Sequence, residues 1–478
     1  MTARTIRFAI ALASAPFMGS ADARANGRFP AASMIAFDPA DASHILISAT
    51  FGLLESRDGA KSFSWTCESA LSLKGQQDTM LAITASGATV AATFDGIVRS
   101  ADGCHFGFPP ELALQIVPDL SLSKSTPHEL LAFHMRGGAR GGYDSQVVRS
   151  IDDGQTWTNV GPPLPTEFLP LTIDIAPSDA RRVYMSGRLG TAEAYASVLM
   201  RSVDGGETFE RAVVPETSVE RMAYIAGVHP LDADRVFVRV DDTAGTVIWS
   251  SEDGGRTLRK RFTGTGRLLG FAIAPDGGEI AFGGPNDGTW IGVTDGPSFE
   301  RRSDVGPSCL AWNKHGLYAC ADVNQAGFSL GLLHDSTATF EPLFRFDSLC
   351  GQTACGAATQ VGKACSAEWD VVAPTIGASC GLAVSDGGRV GNVDAGSNVD
   401  GSSNVSNGLV HSSGSCSFAA PSRTTCCWEL PTLLALCLRG RRRDRKRNRA
   451  TALVSTAIRR GRVAEGARSP SYSYRQVR

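Results

Sequence analysis

Between Ser56 and Phe340 one short pattern, Ser-x-Asp-x-Gly-x-Thr followed by an aromatic or leucine residue, returns seven times in complete or eroded form. Three copies are clean: Ser150-Ile-Asp152-Asp-Gly154-Gln-Thr156-Trp157, Ser202-Val-Asp204-Gly-Gly206-Glu-Thr208-Phe209 and Ser251-Glu-Asp253-Gly-Gly255-Arg-Thr257-Leu258. A fourth, around Asp58, runs from Ser56 to Phe63 with serine in place of threonine. Three more, around Asp102, Asp295 and Asp335, keep only part of the pattern. The aspartates are spaced by 44, 50, 52, 49, 42 and 40 residues. A period in the forties to fifties marks one supersecondary unit repeated, as in propellers and solenoids.

Each part of the pattern has a physical task. Asp-x-Gly reads as a tight turn between two strands, because glycine supplies a positive φ at no steric cost. The carboxylate accepts from backbone N–H groups of that turn, the hydroxyls satisfy the remaining polar groups, and the final large residue packs inward. A weaker repeat fixes the register. Apolar strands alternate with proline turns, as in Ile35–Pro39 before His44–Leu46 and Ile173–Pro177 before Arg182–Tyr184. Proline sits between such strands because it cannot donate to a central ladder. A further strand enters each turn and another leaves it. Four strands per period over seven periods predict an all-β, seven-bladed propeller over residues 31–347 with little helix.

These turns resemble the Asp-box, or BNR repeat, of propellers found in sialidases, sortilin, xyloglucan-cleaving endoglucanases and photosystem assembly factors. The resemblance covers roughly residues 31–347. It implies that Asp58, Asp102, Asp152, Asp204, Asp253, Asp295 and Asp335 are structural and lie at the blade periphery, away from a ligand face.

The N-terminus has the form of an export signal over residues 1–23: Arg4 and Arg7, an apolar run from Phe8 to Phe17, and a small-residue site at Ala21-Asp-Ala23. Export makes sense of the cysteines, since disulfides persist outside the reducing cytosol. Eight of the 12 precede residue 400: Cys67, Cys104, Cys309, Cys320, Cys350, Cys355, Cys365 and Cys380. The expectation is that Cys67 and Cys104 staple neighbouring blades and that Cys309 and Cys320 flank a hairpin of blade seven. The last four would form a compact cap over 348–390 whose pairing the sequence leaves open. Zinc is not indicated, because Cys350 and Cys355 have no companion CxxC or histidine pair. No cofactor is expected, although a structural calcium is compatible with the acidic turns.

Residues 391–415 have the Gly/Ser/Asn composition of a flexible linker. Cys416, an apolar stretch from Trp428 to Leu438 and an arginine cluster from Arg439 to Arg449 follow, ahead of a basic tail over 450–478. Over 416–449 this order resembles the C-terminal sorting tags of bacterial surface proteins, particularly the myxobacterial type. It implies outer-surface display, with Cys416 as the processing or lipid-attachment residue and membrane contact only through the tag. The form is degenerate: the apolar stretch has only 11 residues, and 29 trail beyond the arginines. From Arg439 onward 14 basic residues face 2 acidic ones, net +12, so a chain of net −2 carries −14 in residues 1–438. An acidic body without a basic stripe argues against nucleic acid as a partner.

In such blades the turns joining strands two to three and four to one lie opposite the repeated turns. Two of these loops are long. One carries Arg136, Arg140, Tyr143 and Asp144, and the other Arg188, Glu193 and Tyr195. Arginine, tyrosine and acidic groups on a rigid scaffold suit recognition of a glycan, peptide or protein. Glu193, Asp241, Asp242 and Asp287 are the acids that could face one opening. No GxSxG nucleophile, paired-histidine metal motif or phosphate loop occurs, and His229 reads as a turn residue. The expected function is a secreted or surface-displayed, non-catalytic binding propeller. The alternative is a glycoside hydrolase or lyase, which needs two carboxylates at a defined separation.

Overall fold

The computed structural model describes residues 30–73, 78–137, 142–191, 194–241, 245–334 and 339–379. The sequence period becomes seven consecutive antiparallel sheets, each built from one stretch of chain. Blade one comprises Ala32–Phe37, Ile45–Ala49, Gly52–Ser56 and Ser64–Thr66. Blade seven comprises Pro307–Asn313, Gly316–Ala321, Leu330–Leu333 and Glu341–Phe344. First strands pack on one another around the axis, and Pro307–Asn313 returns against Ala32–Phe37 to complete the ring. Second strands such as Ile45–Ala49 and Thr89–Thr93 are buried along their whole length, since each blade is covered on both faces by its neighbours. That two-sided burial is why they read as continuous apolar runs rather than alternating ones.

The repeated turns share one hydrogen-bond pattern. In the turn of Asp204, Ser202 Oγ donates to Oδ1 (2.6 Å), the Thr208 N–H donates to Oδ1 (3.0 Å) and Thr208 Oγ1 to Oδ2 (2.6 Å). The Gly206 N–H in turn donates to Ser202 Oγ (2.8 Å). Asp58, Asp152 and Asp253 repeat this set. The hydroxyls of Ser202 and Thr208 hold the Asp204 carboxyl down at about 2. At Asp58 and Asp253 the same donors outweigh the opposing effect of burial and give about 2 as well. Asp102 keeps the pattern with His105 standing in for threonine: Nδ1 lies 2.8 Å from Oδ2 and the His105 N–H donates to Oδ1 (2.9 Å). Asp295 departs from it and pairs instead with Arg235 (2.5 Å). Asp335 lies outside the described residues. Phe63, Trp157 and Phe340 are buried at the ends of their turns.

The turns also hold neighbouring blades together. Arg99 Nε donates to Asp153 O (2.7 Å) and Arg149 Nη2 to Gly205 O (2.5 Å), each reaching from the strand before one turn to the turn of the next blade. Arg261, on the strand after the Asp253 turn, reaches the turn of the next blade at Thr294 O and Gly296 O (2.9 and 2.6 Å). His229 bridges blades five and six. Its Nδ1 accepts from the N–H groups of Leu231 (3.2 Å) and Asp232 (3.0 Å), so Nε2–H donates to Gly277 O (3.1 Å).

Two expectations need correction. Blade two has three strands, not four, and its fourth is reduced to a two-bond bridge between Arg99 and Gly107. The cause is the cap, which takes the chain that would have formed that strand. Cys104 bonds to Cys355, and the Phe106 N–H donates to Gln360 Oε1 (2.7 Å). Cys67 and Cys104 therefore do not staple each other. Cys67 pairs with Cys365, so two of the expected cap cysteines bond outwards to blades one and two. Cys309 pairs with Cys320 across adjacent strands of blade seven. Cys350 is exposed and unpaired, while Cys380 and Cys416 lie outside the described residues.

The cap contains a helix, Gln360–Ile376, that was not foreseen. Thr359 caps its start, accepting from the Gly362 N–H, and Gly377 ends it in the left-handed region. Val361, Cys365, Trp369, Val372 and Ile376 make one apolar stripe against the outer edge of blade one. Trp369 meets Trp65 at 5.4 Å between ring centroids. Residues 351–353 run beside the outermost strand, with the Trp65 N–H donating to Gly351 O (3.2 Å) and the Thr353 N–H to Trp65 O (2.7 Å). An open sheet edge is thereby covered. Among the described residues no helix is long and apolar enough to cross a membrane.

Candidate ligand-binding site

Because strands alternate in direction, the two long loops emerge on the face opposite the repeated turns, and the structure separates their residues into two groups. In blade three, Arg136 and Asp144 are ladder partners and lie 3.4 Å apart (Nε to Oδ2), both exposed. They line a groove of about 400 Å³ with His134, Gln146 and Asn159. Burial, helped by the charge of Arg136, pushes the His134 imidazole down, so it is neutral at neutral pH. Tyr143 pairs with Gly137 and gives its N–H to Thr166 O (2.9 Å). Arg140 lies outside the described residues. With Arg136 and Asp144 satisfying each other, this groove has little net charge of its own.

The second group is of a different kind. Arg188, on the second strand of blade four, lies over the Tyr195 ring of the third strand, its Cζ 4.3 Å from the centroid. Its Nε is buried with no hydrogen-bond partner among the described residues. In the adjoining blade, Arg239 sits 5.4 Å from the Tyr224 ring centroid and donates from Nη1 to Leu268 O (3.0 Å). Arg267 enters from the loop leading to blade six. Arg239 and Arg267 share one carboxylate, Asp241 Oδ2, at 3.6 and 3.9 Å. The Tyr224 hydroxyl reports the grouping: burial and the Asp241 charge raise its pKa, while Arg239, Arg267 and Arg188 oppose that rise. Among the described residues, the charges of three guanidinium groups thus act on one tyrosine, with one carboxylate, Asp241, shared by two of them.

The acids that could have served hydrolysis are otherwise engaged. Asp241 accepts from Thr246 Oγ1 (3.0 Å) as well as facing two arginines. Asp287 spends Oδ1 on the Thr265 N–H and Oγ1 (2.8 and 2.9 Å) and Oδ2 on the Gly266 N–H (2.9 Å), which ties down a loop. Glu193 and Asp242 lie outside the described residues. No three His, Cys, Asp or Glu side chains are grouped to hold a metal among the described residues. Of the arginine–tyrosine group, Arg188 and Tyr195 were legible as long-loop residues. Tyr224, Arg239 and Arg267 were missed, because they belong to ordinary strands and a short turn of other blades.

No protein-family model matches the chain, nor does any curated protein sequence. Among solved structures it is similar to an ancestral GH74 enzyme, at 13% identity and TM-score 0.46, over 65% of this chain and 46% of that one. It is also similar to the hydrazine synthase of Kuenenia stuttgartiensis (12% identity, TM-score 0.44, 66% and 99% of the two chains). A third is YCF48 bound to D1 peptide (13%, TM-score 0.31, 47% and 67%). The match spans less than half of the ancestral enzyme's length, and likenesses at this level carry no statement about what the chain binds or does.

Proposed function

We propose that the protein is an exported, surface-displayed recognition module of the Asp-box type that binds an anionic ligand, an acidic glycan or peptide, on its long-loop face. One observation carries this: Arg239, stacked near Tyr224, and Arg267 share the single carboxylate of Asp241 in the described residues, and Arg188 lies over Tyr195 in the adjoining blade. A guanidinium held over an aromatic ring is restrained and still presents N–H groups for a carboxylate fork. The three disulfides fit an oxidising compartment, which supports the reading of residues 1–23 as an export signal. Display at the surface would follow from residues 416–449 acting as a sorting tag. Binding is favoured over catalysis because the two described acids of the four considered for hydrolysis, Asp241 and Asp287, are engaged by neighbouring groups.

The test measures binding and product release together for the oxidised protein with polygalacturonate, an oligoglutamate peptide and neutral dextran. Binding of the anions alone, weakening with salt and by about tenfold or more in Arg188→Ala or Arg239→Ala, is the expected result. Equal affinity for dextran, or unchanged affinity in both variants, would remove the arginine group from consideration. Release of reducing or unsaturated sugar would restore the enzyme alternative.

A further inference from the structure

The central channel opens a second time, on the face of the repeated turns. There the ends of the first strands and the proline turns after them form two joined cavities of about 370 and 390 Å³, both bordered by Lys124, Pro275 and Trp312. The walls are apolar: Phe37 and Leu122 in one lobe, Val228, Phe271 and Ile273 in the other, with Trp312 between them. Such a mouth, walled by large side chains and open to solvent, is shaped for a small ligand rather than for packing.

Its charges are unbalanced. Asp38 is spent within its own turn, accepting from the N–H groups of Ala40 (2.8 Å) and Asp41 (3.3 Å) and from His44 Nδ1 (3.0 Å). Lys124 and Lys314 also border the funnel, and neither has an ion pair within 4 Å among the described residues. Lys124 is exposed to solvent at this mouth and borders both cavities. The acid that feels its charge is Asp174, whose carboxyl burial raises to about 7, so that it is part-protonated at neutral pH. Two ammonium groups at the rim of this mouth, neither in a direct ion pair among the described residues, offer an incoming carboxylate charge-assisted contacts.

We propose that this funnel binds a small monocarboxylate with an apolar body, its carboxylate on Lys124 with Lys314 nearby and its body between Trp312, Phe271 and Ile273. The site is independent of the arginine group on the opposite face.

Calorimetric titration of the full oxidised protein with decanoate, decanol and decyltrimethylammonium tests it. Saturable binding of decanoate alone is expected. Lys124→Gln should weaken it about tenfold or more, the loss of one charge-assisted contact. Trp312→Ala should weaken it as well, with the melting temperature of the Lys124→Gln variant unchanged, while Arg188→Ala has no effect. Absence of decanoate binding overturns the proposal. So does equal binding of the neutral or cationic analogue, or full affinity in a folded Lys124→Gln protein. Binding lost in Arg188→Ala but kept in Lys124→Gln would place the carboxylate on the other face and refute this site alone.

Discussion

Each blade is built from one unbroken stretch of chain, so no strand from the N-terminus completes the last blade. Closure at the join rests on first-strand packing, on Ser308 Oγ donating to Ala32 O (2.7 Å), and on the cap. After blade seven the chain crosses to blades one and two and is bonded to them by Cys67–Cys365 and Cys104–Cys355, enclosing 298 and 251 residues. In the chain-entropy view a cross-link acts by restricting the unfolded chain, by about 5.7 kcal/mol at 25 °C for a 298-residue loop. The bridges are nested. With one in place the other closes only the roughly 47 residues by which the loops differ (298 against 251), about 4 kcal/mol. Losing either bridge should therefore cost about 4 kcal/mol and losing the second about 6 kcal/mol more. Residual structure in the unfolded chain scales both values down but preserves their order.

Alanine is the right replacement, because the Cys67 and Cys365 side chains are fully buried and a serine hydroxyl there would lack a partner. Guanidinium unfolding without reductant should be compared for the parent, the two paired-alanine variants and the fourfold variant. If the first loss costs more than the second, or the fourfold variant is within about 1 kcal/mol of the parent, the cap is not what closes the ring.

Other outcomes follow from local geometry. Asp204→Ala removes the acceptor of two hydroxyls and one N–H, and should lower stability by about 1–3 kcal/mol while leaving binding of the anionic ligand intact. Normal melting with lost binding would show that the turn contacts ligand. Gly277→Ala places a Cβ 2.3 Å from the pinned His229 ring at a φ of +75°, so a loss above about 2 kcal/mol is expected in chemical denaturation. A neutral effect there would mean that His229 does not bridge the blades. Asp174 holds its proton more tightly folded than unfolded, so its ionisation subtracts stability as pH rises from about 4 to about 7. Asp174→Asn should then be more stable than the parent above pH 7, by up to about 4 kcal/mol, and no more stable near pH 4. Parallel stability–pH curves for the two proteins would refute that assignment.

The repeated turn could be read in the sequence because its chemistry is complete within eight residues: Ser202, Asp204, Gly206 and Thr208 supply each other's donors and acceptors whatever the rest of the chain does. Strand number followed from the period and failed only in blade two, where residues 104–106 answer to a partner some 250 positions away. The cap helix carries an i, i+4 apolar stripe, Val361, Cys365 and Trp369, that becomes a buried face only against the edge of blade one. The disulfide partners and the grouping of Arg188 with Tyr224, Arg239 and Arg267 were out of reach, as was the placing of Lys124 beside Trp312. Each depends on where ring closure brings distant blades. Local hydrogen bonding repeats along the chain, whereas the charge balance of a channel mouth is a sum over strands that meet only in the folded ring.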